Sequence, residues 1–267
     1  MMLVAWAAQE HGREAGIQKL KELIAANPQD DALQFALGER LIDAGRPDEA
    51  KEIYHAIITR DGVGTEGLKA RNLLAAVLFA QEHGDEAAEL ANAVLAEDAR
   101  NVSALTLRAA IELSRNNPDK AIPDLRDALQ NAPNSTRALR LLASAHELRD
   151  ELPLAQDALE KAIDAAPAEP AAYLDLAQLL ARSGDMRGAS SVLEGFLARA
   201  PDNAEVQSQL AKIQLSQQDW SAMEKTAQRI LEARPDHPLG YYLKGLLLQR
   251  EGKLKESIVQ LKLAVEK

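Results

Sequence analysis

The sequence predicts an all-α, right-handed solenoid of antiparallel helix pairs. Three observations carry that expectation. A short tag recurs at Asp98-Ala99-Arg100-Asn101, Ala132-Pro133-Asn134-Ser135, Ala166-Pro167-Ala168-Glu169, Ala200-Pro201-Asp202-Asn203 and Arg234-Pro235-Asp236-His237. Its steps are equal: 133−99, 167−133, 201−167 and 235−201 each give 34, a period that marks a repeat architecture. Between tags, apolar residues follow helical spacing. In composition, 46% of residues are hydrophobic but only 3% aromatic, so Ala and Leu dominate, as closely packed helices require.

The units follow in order. Residues 1–28 read as a partial repeat: the tail of one helix at Met1–Ala8, then a full second helix with Ile17, Leu20, Leu23 and Ile24, ending at Pro28. Repeat one spans 29–62 and carries Leu37-Gly38, Leu41, Gly45, Ala50, Tyr54 and Ile57. From Gly62 to Ala99 is 37 residues, three over the period, and the excess falls in the turn-rich segment 61–67. A looser joint is expected there.

Repeat two, 68–101, has Leu74-Ala75, Leu78, Ala87 and Val94. Repeat three, 102–135, has Leu105, Ala109, Ala121, Leu125 and Ala128. It also has Pro123 inside its second helix, so that helix is expected to bend or to start late. Its Arg108 and Glu112 stand where repeat five has Leu176 and Leu180; four apart, they pair on one helix face or both turn outward.

Repeat four, 136–169, has Leu139, Leu142-Ala143, Ala155, Leu159 and Ala162. Repeat five, 170–203, is the clearest. Pro170 opens a helix, Tyr173, Leu176, Ala177 and Leu180 form one face, and Ser183-Gly184-Asp185 breaks it. Gly184 suits the left-handed position after a helix end, and Asp185 an N-cap. Ala189, Leu193, Phe196 and Leu197 line the second helix. Repeats six (204–237) and seven (238–267) close the chain with Leu210-Ala211, Met223 and Ile230, then Tyr241, Gly245, Leu248, Ser257 and Leu261.

Taken together these residues resemble the tetratricopeptide repeat, across nearly the whole chain. The resemblance implies stacked helix pairs whose first helices line a concave wall that binds a protein or peptide. Mapped by that resemblance, the wall includes Lys69 and Asn72, Arg137 and Arg140, Leu174, Gln178 and Arg182, Lys212, and Tyr242 and Leu246. Arg137, Arg140, Arg182 and Lys212 form a basic run suited to carboxylates. Leu174, Leu215, Tyr242 and Leu246 form an apolar run suited to a partner helix. Some relatives clamp a terminal carboxylate with Lys, Asn and Arg from three repeats. Lys69 and Asn72 match a fragment of that set, but Ser103, Thr106 and Ala110 stand where more would be needed, and the activity is not carried over.

The chemistry of other classes has no motif here. There are no cysteines, which excludes disulfides, thiolate zinc sites and cysteine catalysis. The five histidines, His11, His55, His83, His146 and His237, form no ligand pair at helical spacing, so neither a metal nor a cofactor is expected. No phosphate-binding glycine loop or nucleophile elbow is present, and no enzyme activity is expected. A net charge of −10 argues against a nucleic-acid partner. No window reaches the length of a membrane span, so no membrane insertion is expected, and cytoplasm and periplasm both fit.

The expected function is a non-enzymatic interaction scaffold or adaptor. Two further roles fit the resemblance. The Ala- and Leu-rich style, with tags such as Arg199-Ala200-Pro201-Asp202-Asn203, looks like bacterial members of the family, including envelope proteins of exopolysaccharide export and envelope assembly, where such a segment is a spacer. The other is a regulatory module of a protein whose catalytic domain lies outside this chain. The ragged ends read as a piece of a longer protein, or as surfaces covered by homodimerisation.

Overall fold

The structure is a computed structural model and describes residues 12–267. The stretch Met1–Ala8, read above as a helix tail, and His11 lie outside the described residues. The chain divides into two compact units, 1–133 and 134–267. The sequence reading took 1–267 as one domain; the division falls just after Pro133, inside a tag. All regular structure among the described residues is α-helical, in fifteen helices.

The first unit contains α1 (Arg13–Ala26), α2 (Asp31–Asp43), α3 (Pro47–Asp61), α4 (Thr65–Ala80), α5 (Gly84–Glu97), α6 (Val102–Ser114) and α7 (Pro118–Asn131). The second contains α8 (Thr136–Leu148), α9 (Leu152–Ala165), α10 (Pro170–Arg182), α11 (Met186–Leu197), α12 (Ala204–Ser216), α13 (Trp220–Ala233), α14 (Pro238–Arg250) and α15 (Leu254–Glu266). Even-numbered helices are the first of each pair. Each packs on the helix that follows it, and α8, α10 and α12 also lie alongside one another in the second unit.

The tag has a local cause. Its last residue is the N-cap of the next first helix: Asn101 accepts the Ala104 N–H, Ser135 that of Ala138 and Asn203 that of Val206. Each such bond satisfies one of the amides a helix start leaves open. The tag proline is tied down as well. Its carbonyl accepts a side-chain donor six residues on, from Gln34 to Pro28, Tyr173 to Pro167, Gln207 to Pro201 and Tyr241 to Pro235.

Within each pair, the turn carries one residue at positive φ, in register: Gly45, Glu82, Asn116, Asp150, Gly184, Gln218 and Gly252. Gly184 and the Asp185 cap, which accepts the Gly188 N–H at 2.8 Å, stand as the sequence led one to expect. The other turns are less legible, because four of them put a non-glycine in the left-handed region.

The core is a ladder of Ala and Leu. Ala50, Ala70, Ala121, Ala155 and Ala189 are fully buried. Small residues let helices close up. A Cβ on Gly38 would stand 2.6 Å from the Tyr54 hydroxyl oxygen, and one on Gly245 would stand 2.7 Å from Leu261. Burial, with the Glu39 charge behind it, pushes the Tyr54 hydroxyl up to about 12.

Two expectations are corrected and a third is narrowed. The segment 61–67 is not a loosened joint. Helix α4 begins at Thr65, three residues before the expected start of repeat two at 68, and is 16 residues long where the other first helices have 13. The three extra residues are therefore absorbed as helix. Asp61 accepts the Gly67 N–H at 2.7 Å, Arg71 donates to the Gly62 carbonyl, and that carbonyl lies so near Gly67 that no Cβ would fit.

Helix α7 starts at Pro118 and runs unbroken through Pro123 to Asn131, so it does not start late. Arg108 does not pair with Glu112. It reaches across to α7 and donates twice to Asp124, both at 2.7 Å, and once to Asn92 at 3.0 Å. Glu112 instead holds the turn, accepting from Arg115 at 3.3 Å and from Asn117 at 3.1 Å.

Candidate interaction groove

In the second unit, α8, α10 and α12 bound a groove of about 510 Å³. Four residues expected on the wall meet there: Arg140 from α8, Leu174 and Gln178 from α10, and Lys212 from α12. Leu174 rests partly on the core around Tyr173 and Leu193, while Gln178 and Lys212 are exposed. Glu205 and Ser208 of α12 complete the rim, and Pro170 and Ala171 give it an apolar corner.

The cations are not a bare basic run. Arg140 donates to Asp175 at 2.5 Å, with both side chains more than a third exposed. Arg182 pairs with Glu147. Glu205 adds a further negative charge to the groove. The groove therefore has mixed charge: Lys212 and Glu205 make no ion pair among the described residues, and a pre-formed Arg140–Asp175 pair lies between α8 and α10. Sequence reasoning missed Asp175 because it followed wall positions alone. A signal was available: Arg140 to Asp175 and Glu147 to Arg182 both span 35 residues, one period plus one, and join neighbouring first helices.

The other expected wall residues go elsewhere. Arg137 is exposed on α8 and does not line the groove. Tyr242 is exposed on α14, outside it. Leu246 is half-buried against Ala211, Met223 and Leu243, so it serves the core instead. In the first unit, Lys69 stands 4.0 Å from the centroid of the Phe35 ring, a cation–π contact between α4 and α2. The Asn72 amide donates at 3.0 Å to the Asn101 oxygen that caps α6. Both residues bind one repeat to another.

Of the histidines, His146 is buried with Nδ1 2.6 Å from Glu151, and this bond, ahead of the Arg149 charge, holds Glu151 below its ordinary value. His237 caps α14, its Nδ1 accepting the Leu239 N–H at 3.2 Å. No group of three or more His, Cys, Asp or Glu converges on a metal position among the described residues. No described helix is long and apolar enough to cross a membrane.

Stacked helix pairs with a side-chain-lined groove define a helical repeat scaffold. Two sequence profiles described as tetratricopeptide repeat match the chain, one over residues 7–62, 149–208 and 183–247, the other over 35–102 and 106–170. The chain belongs to the tetratricopeptide repeat family. A comparison with proteins of curated function gives no match.

Solved structures share the fold. A tetratricopeptide repeat protein from Parabacteroides merdae is 16% identical, with 93% of each chain covered and a TM-score of 0.55. MamA from Desulfovibrio magneticus is 19% identical, covering 66% of this chain and 98% of its own, at 0.52. The structure of the APC/C hetero-tetramer Cut9–Hcn1 includes a chain 12% identical, covering 98% of this chain and 51% of that one, at 0.62.

Proposed function

We propose that this repeat scaffold is a non-enzymatic adaptor that holds a peptide or partner segment in the groove of α8, α10 and α12. The observation that carries the reading is the convergence of Arg140, Leu174, Gln178 and Lys212 on one open groove. Groups of both signs beside an apolar corner suit a polypeptide with mixed side chains, and Gln178 suits its main-chain amides. The structural relative Cut9–Hcn1 is itself a complex of two named proteins, which supports a partner-binding role for the fold.

The test is site-specific photocrosslinking in lysate of the source organism, with a photoreactive residue at Gln178 or at Glu160, which is exposed on α9. A partner crosslinked from position 178 alone, and lost in a Lys212→Glu chain, is the expected result. Crosslinking from position 160 alone, or equally from both, would move the binding surface to the second helices.

A further inference from the structure

The contact between α13 and α14 lacks three apolar side chains that earlier joints have, and a pocket opens there. Repeats three, four and five carry buried leucines on their second helices at Leu125, Leu159 and Leu193; in the same register repeat six has Ala227. On the facing helix, Gly240 stands where α12 has buried Val206, and exposed Lys244 where α12 has buried Leu210. Leu231 takes up the room at Gly240, its Cγ 2.6 Å from where a Cβ there would stand. Beside Ala227 the room stays open. The pocket has a volume of about 540 Å³, and Ala227, Leu231, Leu247 and Leu248 give it an apolar lining.

Its α14 wall is the side that meets the preceding second helix. Two periods earlier, Leu179 of α10 shares a core with Leu159 of α9 and is buried, whereas Leu247 beside Ala227 is only half-buried. An alanine alone does not open such a joint. Ala91 of α5 holds the same register, and there Leu107 and Ile111 of α6 share its core and are buried.

The rim specifies what fits. Glu224 of α13 and Lys244 of α14 both line the pocket and make no ion pair among the described residues. Glu251 and Lys253, also on the rim, satisfy each other at 2.8 Å. The repeat itself places a leucine side chain at this position elsewhere, so the missing piece has the size of one. A segment that supplies it from outside gains from a basic residue for Glu224 and an acidic one for Lys244. A segment of one charge sign sets a like charge against one of them.

We infer that the α13–α14 pocket receives a leucine-like side chain of a partner polypeptide that carries an acidic residue and a basic residue beside it. This site is separate from the groove of α8, α10 and α12.

The probe is a phage-displayed library of random twelve-residue peptides. It is panned on the full chain carrying Lys212→Glu, which disfavours binders of that groove, and counter-selected on the same chain with Ala227→Leu added. Enriched peptides are expected to carry Leu, Ile, Met or Phe with an acid and a base nearby. By fluorescence anisotropy they should lose at least about tenfold in affinity for the Ala227→Leu chain. That chain should melt no lower than its parent, because the new side chain refills the space. A Lys244→Glu chain, altered at an exposed side chain, should melt like its parent and also lose about tenfold. A peptide whose acid is changed to lysine should recover that loss.

The inference is overturned if no peptide distinguishes the parent from the Ala227→Leu chain, or if the enriched peptides carry one charge sign only. Equal binding by the Lys244→Glu chain would overturn it too, as would an Ala227→Leu chain that melts well below its parent, since no space would then be there to fill.

Discussion

Each compact unit contains an arginine–aspartate pair between helices, and the two pairs differ in what they do. Arg108 and Asp124 meet inside one repeat of the first unit, through two bonds of 2.7 Å, with the Asp124 side chain only 11% exposed. Arg140 and Asp175 meet between repeats of the second unit, through one bond of 2.5 Å, and are 39% and 35% exposed. The first pair stands where repeat four has Leu142 and buried Ala158, since 108 and 124 plus 34 give 142 and 158. It is a charged replacement for an apolar contact, and removing one partner alone strands the other. The second pair lines a groove, where water already screens it. The same two residue types are locked together where they are buried and screened where they are wet.

The largest effect should come from breaking the first pair. Asp124→Ala leaves the Arg108 guanidinium partly desolvated beside the core and should lower unfolding free energy by roughly 2–4 kcal/mol, read in urea by circular dichroism. Next, the double change Arg108→Leu/Asp124→Ala rebuilds the repeat-four contact. It should recover most of that loss, because apolar replacement of a buried ion pair is often neutral or favourable. A double variant as unstable as Asp124→Ala alone would show that the charge itself is not the issue.

The turns provide a control common to both units. Glu82 and Gln218 hold φ values of 66° and 56°, where repeat five has Gly184. Glu82→Gly and Gln218→Gly should each raise stability by roughly 0.5–1 kcal/mol, visible as a higher melting temperature. Breaking the second pair should do less harm: Asp175→Ala should cost no more than about 1 kcal/mol, in keeping with an exposed ion pair.

The smallest effect is a pH dependence confined to α14. Burial, then the Arg234 charge, pushes His237 below its ordinary 6.5. A lowered folded-state value means that the neutral ring is favoured by folding. Its contribution is complete above the ordinary value and is lost as pH falls through the lowered one. The neutral ring is also what accepts the Leu239 N–H. Amide exchange at Leu239 should therefore quicken, beyond the intrinsic trend, between about pH 7 and about pH 5, while the Asn101 cap of α6 should hold.

Much of the fold was legible because repetition averages over local noise. The tag, Gly184, Asp185, Ala189, Leu193 and Tyr54 all obey one register, and each follows from helix capping or close packing. What escaped was whatever depends on two segments at once. The insertion near Gly62 read as slack because glycines usually mark loops, yet Asp61 and Arg71 tie it down and the helix lengthens to absorb it. Arg108 found its partner 16 residues away on α7, beyond any single-helix rule. In the groove, Arg140 was visible as a wall position, but Asp175, the carboxylate that answers it, lies one position off the wall, at a spacing of 35. Leu246 was misplaced because a first helix presents two apolar faces, and sequence spacing does not say which one meets Met223.

The central claim is that the groove of α8, α10 and α12 binds while the Arg108–Asp124 contact only supports. One paired measurement tests it: stability and affinity for the crosslinked partner, in a Gln178→Ala/Lys212→Glu chain and in an Asp124→Ala chain. The groove chain should unfold like the parent and lose at least about tenfold in affinity, equivalent to 1.4 kcal/mol. The Asp124→Ala chain should be less stable and, below its melting temperature, bind like the parent. A groove chain that keeps full affinity, or loses it only by unfolding, would contradict the account.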